Sequence, residues 1–153
     1  MPTASGQQFR LSFASSKGLI QATIAQVGAS LREFKINDIE LVVPYAEDEP
    51  APLCAGIVMA PWPNRIDGGK WQYEGKTLEV DITIHSQQNA NHGFMGRFPY
   101  SLIEQTESSV TLGGVIYPRE GYPFLVETTV TYSLSEAGLT VSHTAKNQSD
   151  KKA

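Results

Sequence analysis

Phe124-Leu125-Val126-Glu127-Thr128-Thr129-Val130-Thr131-Tyr132-Ser133-Leu134 is the stretch that decides the fold class. Phe124, Val126, Thr128, Val130, Tyr132 and Leu134 alternate with Leu125, Glu127, Thr129, Thr131 and Ser133. A period of two sends one set of side chains toward a core and the other toward water. Glu136-Ala137-Gly138 turns the chain, and Leu139 to Asn147 returns with Leu139, Val141, His143 and Ala145 on one face. The pattern predicts an antiparallel hairpin with one buried face.

Working outward, the same period recurs. Tyr100 to Glu104 and Val110 to Ile116 form another pair. Leu19 to Val27 places Ile20, Ala22 and Ile24 together, and Gly28-Ala29-Ser30 interrupts it. Phe34 and Ile36 resume the alternation, Asn37-Asp38 turns the chain, and Ile39 to Val43 follows. Pro44 to Pro52 reads as an acidic, solvated connection. Gly56 to Met59 reads as a buried strand, stopped by Pro61 and Pro63, which lack the N–H that a ladder needs. Asp67-Gly68-Gly69 and Glu74-Gly75 are turns around Lys70 to Tyr73 and Lys76 to Val80. Asp81 to Asn91 and Pro118 to Pro123 read as loops. No helix is expected. Many short strands with regular turns predict an all-β antiparallel sandwich.

The 153 residues fit one domain, 1–153. Sixteen acidic against 12 basic residues give a net charge of −4, which argues against a nucleic-acid partner. The single cysteine, Cys54, has no internal disulfide partner, and this predicts a reducing, cytoplasmic setting. Met1 to Gly6 lacks the basic and apolar regions of a secretory signal. No apolar run reaches the length of a membrane span, so no membrane partner is expected.

The polar residues with chemical promise cluster around two short motifs. In Ala60-Pro61-Trp62-Pro63-Asn64-Arg65-Ile66, a proline-rigid corner is followed by an amide and a guanidinium, which lowers the entropic cost of holding the arginine fork in place. In Asn91-His92-Gly93-Phe94, an imidazole precedes a glycine that permits unusual dihedrals or close approach. Such groups can hold a polyhydroxylated ligand. His143, in the apolar register of its strand, reads as a hydrogen-bonded core or interface residue, and His85 as a solvated loop residue. Trp62 and Trp71 suit either buried packing or stacking on a sugar face. No metal-ligand set, phosphate loop or nucleophile elbow is present, and no metal or cofactor is expected.

Taken together, these motifs resemble the aldose 1-epimerase (galactose mutarotase) family. The resemblance extends through Gly121-Tyr122-Pro123-Phe124, Thr131 to Leu134, Gly138-Leu139 and Asn147, in order and spacing from about Gly18 to Asp150. It implies a β-supersandwich, here incomplete, with a sugar groove and no cofactor. It implies that Asn64, Arg65 and His92 bind a small-molecule aldose, with His92 in the catalytic set. The family's general-acid histidine and general-base glutamate have no counterparts in residues 1–153, and His143 does not sit in that histidine's motif. The leading expectation is thus a mutarotase whose proton-transfer pair is missing from this stretch. A hexose-6-phosphate 1-epimerase, with Arg97 and Arg119 as basic candidates, and a non-catalytic carbohydrate-binding module are the alternatives. Uncovered strand edges, and the face carrying Val126, Val130, Tyr132 and Val141, are expected to promote self-association.

Overall fold

Period-two alternation organises two sets of strands that bury facing apolar stripes. The computed structural model describes residues 3–153; Met1 and Pro2 of the N-terminal segment lie outside the described residues. The first set is β1 (Gln8–Ser15), β2 (Gly18–Ala25), β3 (Ser30–Ile36) and β4 (Ile39–Glu40), paired in that order. Four short strands follow: β5 (Arg65–Asp67), β6 (Lys70–Tyr73), β7 (Lys76–Glu79) and β8 (Asn89–Asn91). Of these, β5 pairs with β8 and β6 with β7. The second large sheet holds β9 (Ser101–Gln105), β10 (Ser109–Ile116), β11 (Val126–Ser135) and β12 (Gly138–Asn147), in the spatial order β12-β11-β10-β9. Among the described residues the helical turns are two three-residue 3-10 segments, Pro52–Cys54 and His85–Gln87. No helix is long and apolar enough to cross a membrane. The architecture is the antiparallel all-β arrangement that the alternation predicts.

The core lies where the two large sheets face each other. Phe9, Leu11, Ile20, Ala22 and Ile24 meet Val110, Leu112, Ile116, Val130 and Leu134 in one buried cluster. β1 crosses over β10 and β11. The Tyr132 hydroxyl spans the layers and donates to the Ala29 carbonyl at 2.7 Å. Burial, and the neighbouring phenols of Tyr100 and Tyr45, push the Tyr132 phenol far above its ordinary pKa, so it remains a donor. Arg32 is buried but paired: it donates to Gln8 Oε1 and to the Tyr45 carbonyl and meets Glu33 at 2.7 Å. These bonds tie the acidic Pro44–Pro52 connection to the outer part of β3, as a buried charge requires.

Several elements differ from the sequence reading. β1 was not anticipated, although Phe9 and Leu11 are buried and Arg10 between them is exposed. Gly56 to Met59 is not a strand. The Leu31 N–H bonds to the Gly56 carbonyl and the Val58 N–H to the Gly28 carbonyl, so the segment hangs on an irregular turn and has no ladder. Only Val58 in it is buried. Asp81 to Asn91 is not wholly loop, because it ends in β8. The Ile39 to Val43 strand stops at Glu40.

The returning strand of the deciding hairpin differs most. β11 and β12 pair in unbroken register, with Val130 opposite His143 and Tyr132 opposite Val141. Opposed residues share a face. Yet Val126, Val130 and Tyr132 are buried while Val141 is 39% exposed and His143 is exposed. β1 packs on β10 and β11, whereas the edge strand β12 is exposed from Thr140 to Asn147. The expected uncovered face therefore shrinks to the Val141–His143–Ala145 row, and His143 is not a core residue. His143 and Ala145 of that row line an open groove of about 570 Å³, together with Ile57, Met59 and Pro61.

Candidate functional site

Short strand pairing brings the two sequence motifs together. β5 and β8 are antiparallel, with Arg65 opposite Asn91 and Ile66 opposite Ala90. Asn64 and His92 thus flank the same end of the pair. They bind each other twice: the His92 N–H donates to the Asn64 carbonyl at 2.9 Å, and the Asn64 N–H donates to His92 Nδ1 at 2.9 Å. Both residues adopt left-handed backbone conformations, at φ 59° each. Non-glycine residues seldom do so, although asparagine and histidine are among those that tolerate it best. The reciprocal bonds hold a conformation that costs ~1–2 kcal/mol per residue when unsupported.

That geometry fixes the histidine tautomer. A backbone N–H can only donate, so Nδ1 is the acceptor and carries no proton. The neutral ring holds its proton on Nε2, which is then a hydrogen-bond donor. The Asn64 side chain acts on the other partner: Arg65 Nη1 donates to Asn64 Oδ1 at 3.2 Å. Asn64 thus ties the imidazole through its main chain and the guanidinium through its side chain. His92 is half-buried, and Asn64 and Arg65 are exposed. Among the described residues, neither Arg65 nor His92 lies within salt-bridge distance of a carboxylate.

Gly93 is the residue on which the corner closes. Ala60 and Gly93 form an isolated parallel bridge, and the Phe94 and Met95 N–H groups both bond to the Ala60 carbonyl, at 2.7 and 3.2 Å. With φ at 67°, a Cβ on Gly93 would overlap the Ala60 carbonyl and come within 2.7 Å of Pro61 N. Only glycine permits this approach. The two motifs are therefore one built unit, joined through Ala60–Gly93 and Asn64–His92.

Beneath the corner is an aromatic wall drawn from separate segments. Trp62 meets Phe94 edge-on at 4.9 Å, and Phe94 meets Tyr122 at 5.4 Å in the same manner. Tyr122 packs on Phe124, and Trp71 lies beside both. Trp71 Nε1 donates to the Gly121 carbonyl at 2.9 Å, so this tryptophan is a packing residue. Trp62 Nε1 and Asn91 Oδ1 are buried without a protein partner. Burial raises the Tyr122 phenol above its ordinary pKa. The Arg119 guanidinium sits 4.2 Å over the Phe94 ring. That contact escaped the sequence reading, which offered Arg119 only as one of two basic candidates. His85 lies in an exposed 3-10 turn. His143 lines the open groove, which shares Ala60, Pro61 and Tyr122 with the corner's framework but is not lined by Asn64, Arg65 or His92. No cluster of metal-ligating side chains occurs among the described residues.

The fold is thus an antiparallel β-sandwich with a rigid Pro-x-Pro-Asn-Arg corner locked onto a His-Gly-Phe turn, the arrangement of galactose mutarotase-like folds. A sequence model of the aldose 1-epimerase family matches residues 12–153, and the chain belongs to that family. It is 37% identical over 131 residues to the uncharacterized protein YihR of Escherichia coli (strain K12), covering 85% of this chain and 42% of that protein. Its fold is similar to that of a GalM/aldose epimerase homologue from C. elegans, with a TM-score of 0.77, 19% identity, and coverage of 93% of this chain and 47% of that one. It is also similar to a galactose mutarotase-like protein from Clostridium acetobutylicum, with a TM-score of 0.75, 21% identity, and coverage of 92% and 46%. The chain thus spans somewhat less than half the length of each of these relatives.

Proposed function

We propose that the Asn64–Arg65–His92 corner is the substrate-orienting half of an aldose 1-epimerase site. The observation that carries this reading is the reciprocal Asn64–His92 bonding, which makes the imidazole a fixed donor. Interconverting α and β anomers opens a hemiacetal. A base removes the anomeric hydroxyl proton, an acid protonates the ring oxygen, the C1–C2 bond rotates, and reclosure reverses the roles.

His92, holding its proton on Nε2, donates to a sugar oxygen, and Arg65 adds a charged donor beside it. Both favour negative charge as it builds on oxygen during ring opening. Nδ1 is committed to the Asn64 N–H, so His92 does not pass a proton from one nitrogen to the other. Because His92 Nδ1 is committed to the Asn64 N–H and Arg65 stays charged, this reading assigns the acid and base of the reaction to groups other than Asn64, Arg65 and His92. In this reading Asn64 is a positioning residue: its main chain and side-chain oxygen are spent on His92 and Arg65.

Calorimetric titration with galactose and glucose tests the reading. Arg65→Ala should weaken binding by about 1–3 kcal/mol, the usual cost of losing a charged hydrogen bond. His92→Ala should do the same and also lose the bond to Asn64. Circular dichroism of Arg65→Ala should match that of the unsubstituted chain. Unchanged affinity in a folded Arg65→Ala and a folded His92→Ala would refute a sugar-binding role.

A further inference from the structure

We propose that Asn91 is a specificity-determining residue of the sugar site, where its Oδ1 accepts a hydrogen bond from a sugar hydroxyl beside Arg65. This rests on the sugar-site reading above and names what that site selects, a hydroxyl that donates. In the β5–β8 pair, Ile66 lies opposite Ala90, and both pack on the core. Arg65 and Asn91, the next opposed pair, therefore point the other way and share one face. The Cβ atoms of such a pair stand about 4.5–5.5 Å apart, close enough for the two side chains to meet one ligand.

The backbone of Asn91 is fixed, but its amide is not. The Asn91 N–H donates to Thr83 Oγ1 at 2.8 Å, and the strand register holds the residue against Arg65. His92 follows directly, with its ring tied to the Asn64 N–H. Asn91 Oδ1, by contrast, is buried without a protein partner. Buried acceptors are nearly always paired, because an oxygen stripped of water and left unpaired destabilises the fold. The residue as a whole is half-buried. The torsion that carries an asparagine amide is broad and roughly two-fold, and no hydrogen bond to Oδ1 opposes its rotation toward the open side of the corner.

The corner otherwise offers donors. Arg65 can only donate, and His92 presents Nε2–H. Asn64 Oδ1 is taken by Arg65, and His92 Nδ1 by the Asn64 N–H. A sugar hydroxyl donates as well as accepts, so donors alone would leave its proton without a partner. Asn91 Oδ1 is the acceptor directly opposite Arg65. Asp67 and Asn89 form the next pair on that face, on the side away from His92. A guanidinium beside a carbonyl oxygen suits a hydroxyl: the cation meets the oxygen, and Oδ1 takes the proton. A site built in this way rejects an analogue that cannot donate, because its own acceptor is then left unpaired.

The test is calorimetric titration of the whole chain and of Asn91→Leu with galactose and its monofluorodeoxy analogues, each with fluorine in place of one non-anomeric hydroxyl. Fluorine is close to a hydroxyl in size but cannot donate. The unsubstituted chain should bind one analogue about tenfold more weakly than galactose, the scale of a lost bond whose acceptor stays unpaired. Asn91→Leu is close in shape but has no acceptor. It should bind galactose about tenfold more weakly and no longer distinguish it from that analogue. Urea unfolding separates a structural role: an unpaired acceptor adds nothing to stability, so Asn91→Leu should unfold at no lower urea concentration than the unsubstituted chain. Equal affinities of the unsubstituted chain for galactose and every analogue would overturn the proposal. So would a discrimination that survives in Asn91→Leu, whatever its urea midpoint. If Arg65→Ala weakens galactose binding and a folded Asn91→Leu does not, this proposal alone fails. If galactose does not bind, the site reading fails and takes this one with it.

Discussion

Replacing Gly93 with alanine should break the corner on which both motifs depend. Gly93 is left-handed at φ 67°, and an added Cβ would overlap the Ala60 carbonyl. Forcing a non-glycine residue into that conformation costs ~1–2 kcal/mol. Moving the Ala60 carbonyl away loses two hydrogen bonds, from Phe94 and Met95, worth ~1 kcal/mol each. The sum is about 3–4 kcal/mol before any loss in the Trp62–Phe94 contact. Gly75 is the internal control. It is also left-handed, at φ 77°, but an added Cβ would meet nothing within 4 Å. Gly75→Ala should therefore cost only the conformational part, ~1–2 kcal/mol. Urea unfolding followed by circular dichroism gives both values. Thermal melts should fall by ~2–4 °C per kcal/mol, so Gly93→Ala should melt several degrees below Gly75→Ala. Equal destabilisation of the two variants would show that the close approach at Ala60 is not what holds the corner.

Other outcomes follow from the packing and the charges. Tyr132→Phe removes the hydroxyl that joins the two large sheets through Ala29 and should cost ~1–3 kcal/mol in urea unfolding, because a buried carbonyl loses its partner; an unchanged midpoint would count against that bond. Glu136 links the β11–β12 turn to the β1–β2 turn. Hydrogen bonds from the Ser16 hydroxyl and N–H hold its carboxyl below the ordinary carboxylate pKa. A depressed pKa adds stability that is fully present above the unfolded value and is lost as pH falls through the folded one. The melting difference between the unsubstituted chain and Glu136→Gln should thus be largest at neutral pH and shrink below about pH 4. A difference independent of pH between 7 and 3 would contradict the linkage.

Much of the fold is written locally, because a half-buried strand imposes a period of two on its own sequence. That is why the β11–β12 hairpin and the β9–β10 pair are legible, and Phe9 and Leu11 in β1 carry the same signal. Burial across the sandwich is not local. Val141 and His143 obey the alternation of their strand yet stay exposed, because cover depends on the strand's place in the sheet, and β12 is at its edge. β5 and β8 are three residues long, too short to show any period. The site divides in the same way. Arg65 and His92 stand out from their motifs, but the bond that joins them runs through the main chain of Asn64 in a left-handed conformation that no side-chain pattern announces. The seat of Arg119 on Phe94 joins residues 25 positions apart and is visible only in space.

The central claim is that His92 is held as an Nε2–H donor facing an aldose. Long-range proton–nitrogen correlation spectra of the imidazoles, recorded during a galactose titration, test it most directly. His92 should show the Nε2–H tautomer throughout, and its Nε2 resonance should move with galactose while those of His85 and His143 stay in place. A His92 in the Nδ1–H form, or one that galactose leaves unmoved while His143 shifts, would contradict the account.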